Sequence, residues 1–276
     1  MKMKNKKRIF ICIFCWIVGL IVAYPIYWMI MASFMPSGSS VINVPILYPN
    51  KVTLESYIEI FKTRDILTWL LNTAIVSFSS TFIAIIISIF TAYSLARFRF
   101  KGKGLFAYII LMTQMIPATL LIIPLFIIFK KINLLNSLVA VIFSYTTFTI
   151  PLAVWILWGF FKNLAIDSEE AAMLDGCTRL SAFLRVSLPI ALPGIAVATL
   201  LCFLEGWNEY ILAYTLISGQ NKWVISLGLY SFIGQFTVSI ENIMATSVIA
   251  TIPAIIIFIF LGRYLVSGLT LGGLKE

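Results

Sequence analysis

The chain has no histidine among its 276 residues. Imidazole acid–base catalysis, imidazole metal ligation and histidine pH switching are therefore excluded. Charge is scarce as well. Only 11% of residues are Asp, Glu, Lys or Arg, 61% are hydrophobic, and mean hydropathy is +1.02. That balance excludes a soluble globular domain of this size. Cysteine occurs four times, at 12, 15, 177 and 202. Cys12 and Cys15 form a C-x-x-C, but it lies inside an apolar run with no second pair, so neither a zinc site nor a disulfide framework is implied. No G-x-x-x-x-G-K-[ST] occurs. The chain thus lacks a phosphate-cradling loop, and any energy from ATP must come from another subunit.

What the chain does have is apolar length. Runs near 20 residues recur, the length of a transmembrane helix. Residues 1–8 form a basic tail carrying Lys2, Lys4, Lys6, Lys7 and Arg8. The run at 9–34 is too long for a signal-peptide core and reads as an uncleaved first span, its basic flank in the cytoplasm. Residues 35–68 form an extracytoplasmic loop with a short helix expected at 54–61, begun by Thr53. Five further spans are expected at 69–95, 105–129, 138–161, 193–217 and 243–261, giving a permease core over 69–261 and a cytoplasmic tail at 262–276. Pro117 and Pro124 should kink or break the third span, and the fourth contains Pro151. An outer segment, 218–241, carries Trp223, Tyr230 and Phe232, as expected at a membrane boundary.

The net charge of +9 follows this topology and does not point to nucleic acid. Fourteen of the 20 Lys and Arg fall on the inner segments. The other six, Lys51, Lys62, Arg64, Lys130, Lys131 and Lys222, fall outside. The positive-inside rule then predicts an all-α polytopic membrane protein of about six transmembrane helices with both termini cytoplasmic.

The spans are interrupted at 167–193 by the stretch DSEEAAMLDGCTRLSAFLRVSLPIALP, the densest charged and capping segment after the N-terminal tail. Asp167 and Glu170 have the spacing of an N-cap and its capping-box partner. Glu169 and Glu170 suit the positive end of a helix. Gly176 is placed for a left-handed stop, and Thr178 or Ser181 for the start of a second helix bearing Leu180, Phe183, Leu184 and Ser187.

Glu170-Ala171-Ala172, three residues, Gly176, nine residues and Val186-Ser187-Leu188-Pro189 resemble the EAA loop of type I ABC importer permeases. The departure is Val186 where isoleucine is usual. Residues 263–275, from Arg263 through Gly268, Leu269, Thr270, Leu271, Gly272 and Gly273 to Lys275, resemble the tail of the maltose-type carbohydrate importer permeases. Trp207-Asn208-Glu209-Tyr210, the segment Ala92 to Phe100 and the stretch Tyr48-Pro49 to Tyr57 extend the resemblance over nearly the whole chain. Two departures are local: Ile166-Asp167-Ser168 stands where many relatives carry a proline, and Glu276 stands where glycine is usual.

The resemblance implies a membrane-spanning subunit of an ATP-driven, binding-protein-dependent importer that translocates a mono- or oligosaccharide. The implied residence is the cell membrane of a bacterium or archaeon. Implied partners are a second homologous permease, two ATP-binding cassette subunits and an extracytoplasmic solute-binding protein, with membrane lipid around them and no nucleic acid. The chain itself is not expected to be an enzyme and holds no cofactor or metal; ATP and Mg belong to the partner ATPase. The residues implied to dock that ATPase are Glu169, Glu170, Ala171, Ala172, Asp175, Gly176, Leu180, Phe183, Leu188 and Pro189. A second contact is implied at Gly268, Thr270, Gly272, Gly273 and Lys275, in a tail whose glycines leave it flexible on its own.

Carboxylates at membrane depth normally face a protein interior or an aqueous path. Glu205 and Glu209 are such groups. With Trp207, Asn208 and Tyr210 they could line a path for a hydroxyl-rich solute, or they could fix helix packing through hydrogen bonds. The small polar residues Asn72, Thr73, Ser77, Ser79, Ser80 and Thr81 mark close helix packing before they mark a pore. A permease for another small polar solute, a proton-coupled carrier and a membrane scaffold stand as alternatives. Against the carrier, almost no basic partners lie within the spans, and the sequence shows no convincing halves with paired broken helices.

Overall fold

The computed structural model describes residues 2–36, 38, 48, 51–233 and 239–272, with side chains described between 8 and 264. The chain divides into two compact units, Met1–Leu67 with Gly228–Ile252, and Thr68–Leu227 with Pro253–Glu276. The described elements are helical. In order they are α1 (Lys2–Ser33), α2 (Glu55–Thr63), α3 (Ile66–Arg97), α4 (Lys103–Met115), α5 (Ala118–Lys131), α6 (Leu138–Asn163), α7 (Asp167–Leu174) and α8 (Arg179–Ala182). A π-helical turn (Phe183–Ser187) leads into α9 (Leu188–Ile190), α10 (Leu192–Asn208), α11 (Ile211–Leu216), α12 (Ile225–Tyr230) and α13 (Ile240–Gly272).

Among the described residues, four helices are long and apolar enough to cross a membrane, and two bent pairs raise the number to six if each pair is one span. α4 and α5 meet at 96°. Pro117 stands at that break, because it cannot donate to the helical ladder and holds Ile116 in an extended conformation. Pro124 and Pro151 remain inside α5 and α6 without ending them. The fifth span differs from expectation. α10 stops at Asn208, Glu209 is extended, and α11 is a separate six-residue helix. The C-terminal stretch also differs: the backbone is helical to Gly272 as a continuation of the sixth span, where a loose tail from 262 was expected. The short outer helix is α2, with Leu54 at its N-cap and no side-chain cap from Thr53.

In the first unit, the Ser33 and Tyr57 hydroxyls lie 2.8 Å apart and the Phe34 ring sits 5.3 Å from Tyr57. Over residues 8–26 the side chains of α1 are exposed throughout, Phe10 and Trp16 being 70% and 74% exposed. An apolar helix left bare in this way is stable only against lipid or another membrane helix.

In the second unit, two apolar clusters lie along the helices. One gathers Val76, Val141, Tyr145, Leu212 and Leu216; the other gathers Tyr93, Leu157, Phe161, Phe183 and Cys202. Small residues let the backbones close up. A Cβ on Gly194 would stand 2.4 Å from a ring carbon of Phe160, so α10 can reach α6 there only with glycine. The polar residues of α3 serve packing. Ser77 and Ser80 are buried, and Ser88 donates to the Ile150 carbonyl at 3.2 Å. Asn72 donates to the carbonyls of Asn221 and Trp223, and Thr73 accepts from the Ile225 amide at 2.7 Å, fastening the segment before α12.

Candidate functional site

The 167–193 stretch folds as a helix, a glycine hinge and a second helix. α7 ends in a paired hydrogen-bond motif: the Cys177 amide donates to the Ala172 carbonyl at 3.0 Å and the Gly176 amide to Met173 at 3.1 Å. That arrangement requires a left-handed residue, and Gly176 supplies it at φ +90°. Thr178 then opens α8, its hydroxyl oxygen accepting from the Ser181 amide at 3.3 Å.

The start of α7 departs from expectation. Ile166 occupies the cap position in a helical conformation, and no side chain caps the helix. Asp167 is its first residue, and Glu170 is exposed and makes no capping-box bond. The reason lies in Glu169, which faces inward. Its carboxylate accepts from the Arg97 Nε at 2.8 Å and from the Tyr93 hydroxyl, and it is 4% exposed. Arg97 also donates to the Leu164 carbonyl at 3.2 Å. Glu169 is therefore withdrawn from the surface on which it was expected. Phe183 is withdrawn too: it is buried, with its ring 4.3 Å from Tyr93 and 5.8 Å from Phe90. The remaining expected positions face outward. Glu170, Ala171, Asp175, Gly176, Leu180 and Pro189 are exposed, and Ala172 and Leu188 are half-buried. Leu174, at the end of α7, is 89% exposed and was not singled out from sequence. No sequence signal marks it, because exposure is set by tertiary packing and a single exposed leucine is common.

At the other candidate site, a cavity of about 630 Å³ opens where the α4–α5 break, the middle of α6 and the end of α10 converge. Thr113, Gln114, Thr147, Thr149, Glu205 and Glu209 supply its polar wall, and no lysine or arginine is among the described residues that line it. Pro151, also lining it, leaves the Thr147 carbonyl without a helical donor. Gln114 spans part of the gap, its amide donating to the Phe148 carbonyl at 3.2 Å.

The cavity takes in only one of the four residues expected along a substrate path. Trp207 is buried, its ring 5.2 Å from Phe203, and neither it, Asn208 nor Tyr210 lines the space. Asn208 donates to the Leu204 carbonyl one turn back. Glu209 lines the cavity but is structurally engaged: its carboxylate accepts from the amides of Leu212 at 2.8 Å and Ala213 at 3.3 Å, holding the start of α11. Its backbone carbonyl accepts from Ser226 and Tyr145. Glu209→Ala is accordingly expected to destabilise the chain by about 1–2 kcal/mol, the usual cost of a lost helix cap. Thermal melting of the detergent-purified protein measures it, and an unchanged transition would refute the capping role. Gln114, a lining group the sequence reading passed over, was detectable as a costly amide within a span. The C-terminal candidates lie beyond the described detail. Gly268, Thr270 and Gly272 have helical backbone with no side-chain description, and Gly273 and Lys275 are outside the described residues.

Residues 84–270, spanning the cavity and the 167–193 loop, match the family described as the binding-protein-dependent transport system inner membrane component. The chain belongs to that family. This permease is 33% identical to the sulfoquinovosyl glycerol transport system permease protein of Agrobacterium fabrum, over 91% of its own length and 88% of that protein. It is 32% identical to the trehalose/maltose transport system permease protein of Thermococcus litoralis, over 98% and 97% of the two chains. In fold it resembles a chain of a bacterial ABC transporter involved in the import of the acidic polysaccharide alginate. The TM-score there is 0.79, with 24% identity, 96% of the permease and 98% of that chain covered. The permease is thus a membrane-embedded transport component of a binding-protein-dependent system, and its relatives are transport permeases.

Proposed function

We propose that the permease carries a mono- or oligosaccharide across the cell membrane of a bacterium or archaeon. Import is driven by two copies of a separate ATP-binding cassette subunit, and the path runs between this chain and a second homologous permease. An extracytoplasmic binding protein delivers the substrate. ATP and Mg bind to the cassette subunits and not to this chain. The observation carrying the proposal is the 167–189 projection, which combines the EAA spacing with a hinged helix pair presenting Leu174, Leu180 and Leu184 outward. Transport of sugars and glycosides by the related permeases named above supports the substrate class.

In this reading the loop lies in the cytoplasm with both termini, the arrangement that the lysine and arginine distribution favours. The exposed loop residues and the C-terminal residues 268–275 meet the ATPase. Closure of the ATPase dimer moves the loop, and the spans alternate between outward and inward access. Such coupling requires the loop to contact each nucleotide state differently. Glu205, Glu209 and Gln114 then form part of the wall passed by the solute.

Isolation of the tagged chain in mild detergent tests the reading. A P-loop ATPase and a second EAA-bearing permease are expected among the co-purifying proteins identified by mass spectrometry. The accompanying binding protein is expected to be thermally stabilised by a sugar. Repeated purification of the chain alone, with uptake in liposomes under a proton gradient, would overturn the proposal in favour of a secondary carrier. A binding protein stabilised only by a non-carbohydrate solute would keep the importer and replace its substrate.

A further inference from the structure

We infer that Arg97, Glu169 and Tyr93 form a buried clamp through which the docking loop moves α3, with Glu169 acting as a positioning residue for energy coupling. The inference rests on the proposed ATPase docking, and it concerns where the force goes once the loop is pushed. The loop is continuous in sequence with α6 on one side and α10 on the other, so covalent connection alone would deliver its motion to those two helices. The side-chain contacts add a third recipient.

Contacts from both arms of the loop converge on the end of α3 and the residue after it, beside the packing of Phe183 on Phe161 of α6. Glu169 on α7 binds Arg97 at 2.8 Å and accepts from Tyr93. Phe183, from the second half of the loop, packs on Tyr93 and Phe90. The Arg179 guanidinium lies 4.9 Å over the ring of Phe98. Both arms of the loop are therefore attached to one helix end, one of them by an ion pair whose side chains are 8% and 5% exposed. A buried pair of this kind is a poor source of net stability but a strong constraint on geometry, because separating its members strands a charge away from water. The constraint reaches the cavity through a stiff element. α3 is one unbroken helix from Ile66 to Arg97, and the space beside Gly206 is bounded by Ser77 and Ser80 of that helix. Gly206 and its neighbour Glu205 line the cavity. From position 97 to position 80 is about 25 Å of helix at 1.5 Å per residue.

The clamp explains why an acidic residue one position before the EAA glutamate is held inside. Glu170 faces outward and is free for the ATPase, while Glu169 binds the membrane helix, so two adjacent carboxylates serve opposite sides of α7.

The test uses the assembled permease–ATPase complex, with spin labels at exposed Ser168 on α7 and exposed Ile87 on α3, in a background whose four cysteines are replaced by serine. The label-to-label distance distribution is measured without nucleotide and after trapping with ATP and vanadate. For the parent complex the distribution is expected to stay narrow and unmoved, because the clamp carries α3 with the loop. Glu169→Gln is expected to retain the ATPase while the trapped distribution shifts to longer distances and broadens. Leaving Arg97 unpaired could impair folding of that variant, so Arg97→Gln/Glu169→Gln, which removes both charges, is measured beside it. The double variant is expected to fold, to bind the ATPase and to show the same shift. Because the two residues act as one unit, its effect should not exceed that of either single change. Solute taken up per ATP hydrolysed is expected to fall about 5- to 150-fold in both variants, the range of typical coupling energies. An unmoved distribution in the double variant, with the ATPase bound, overturns the inference alone. A parent complex that carries no ATPase overturns the docking reading, and the inference with it.

Discussion

Gly176→Pro is expected to reach the membrane at the wild-type level and to abolish uptake. Gly176 has φ +90°, and proline is confined near −65°. The ring also removes the amide that donates to Met173 and crowds Asp175 before it, which sits at φ −74° and ψ 8°, away from the extended region favoured before proline. Nothing lies within 4 Å of a Cβ at this position, so the change collides with no neighbour and acts only on the hinge. The hinge sets the angle between α7 and α8. Opening it misplaces every exposed residue of the loop relative to a rigid partner, whereas the spans themselves keep their packing. Gly176→Ala separates strain from shape. It keeps the amide and costs only the left-handed conformation, about 1–2 kcal/mol, so partial uptake is expected. Immunodetection in isolated membranes together with a radiolabelled uptake assay measures both variants. Wild-type uptake by the proline variant would remove the loop from the coupling path.

Leu174→Asp is expected to release the ATPase. Leu174 is 89% exposed at the end of α7, so a docked partner that covers it gains nearly the whole of its apolar surface. Covering a leucine contributes about 1.5–3 kcal/mol, so its loss alone corresponds to roughly a tenfold or greater drop in affinity. An aspartate at the same point adds the cost of taking a charge out of water. Titration of the purified ATPase onto detergent-solubilised permease would read the loss directly. The transition temperature of the permease alone should not move, because the side chain contacts little of its own chain. Undiminished binding would place the apolar contact elsewhere, with Leu180 and Leu184 the remaining candidates on that surface.

Different physics governs the parts that were legible in the sequence and the parts that were not. The spans were legible because burial in lipid demands about 20 apolar residues, and that demand is met residue by residue along the chain. Gly176 and Thr178 were legible for a related reason: a left-handed stop and a hydroxyl cap are local requirements, answered within four residues. Asp167 as a cap failed where locality failed. The pattern Asp167…Glu170 satisfies the capping-box rule, but an ion pair from Glu169 to a residue 72 positions earlier fixes the start of α7. No windowed reading of the loop contains Arg97. Phe183 was misplaced for the same reason, since its position on one side of a helix did not say which side faces the membrane helices.

The fifth span shows the reverse error. Apolar residues continue past Asn208 to Ile217, so composition extends the helix, yet the carboxylate of Glu209 turns on its own chain and begins a new one. The sequence by itself determined that this is an all-helical membrane permease with an EAA loop, because hydropathy, charge placement and cap chemistry are properties of neighbouring residues. Only the tertiary structure decided which of two adjacent glutamates faces out and which binds Arg97, and which polar groups share a cavity. Those outcomes depend on where helices far apart in the chain come to rest, and burial then assigns each charge the partner it must have.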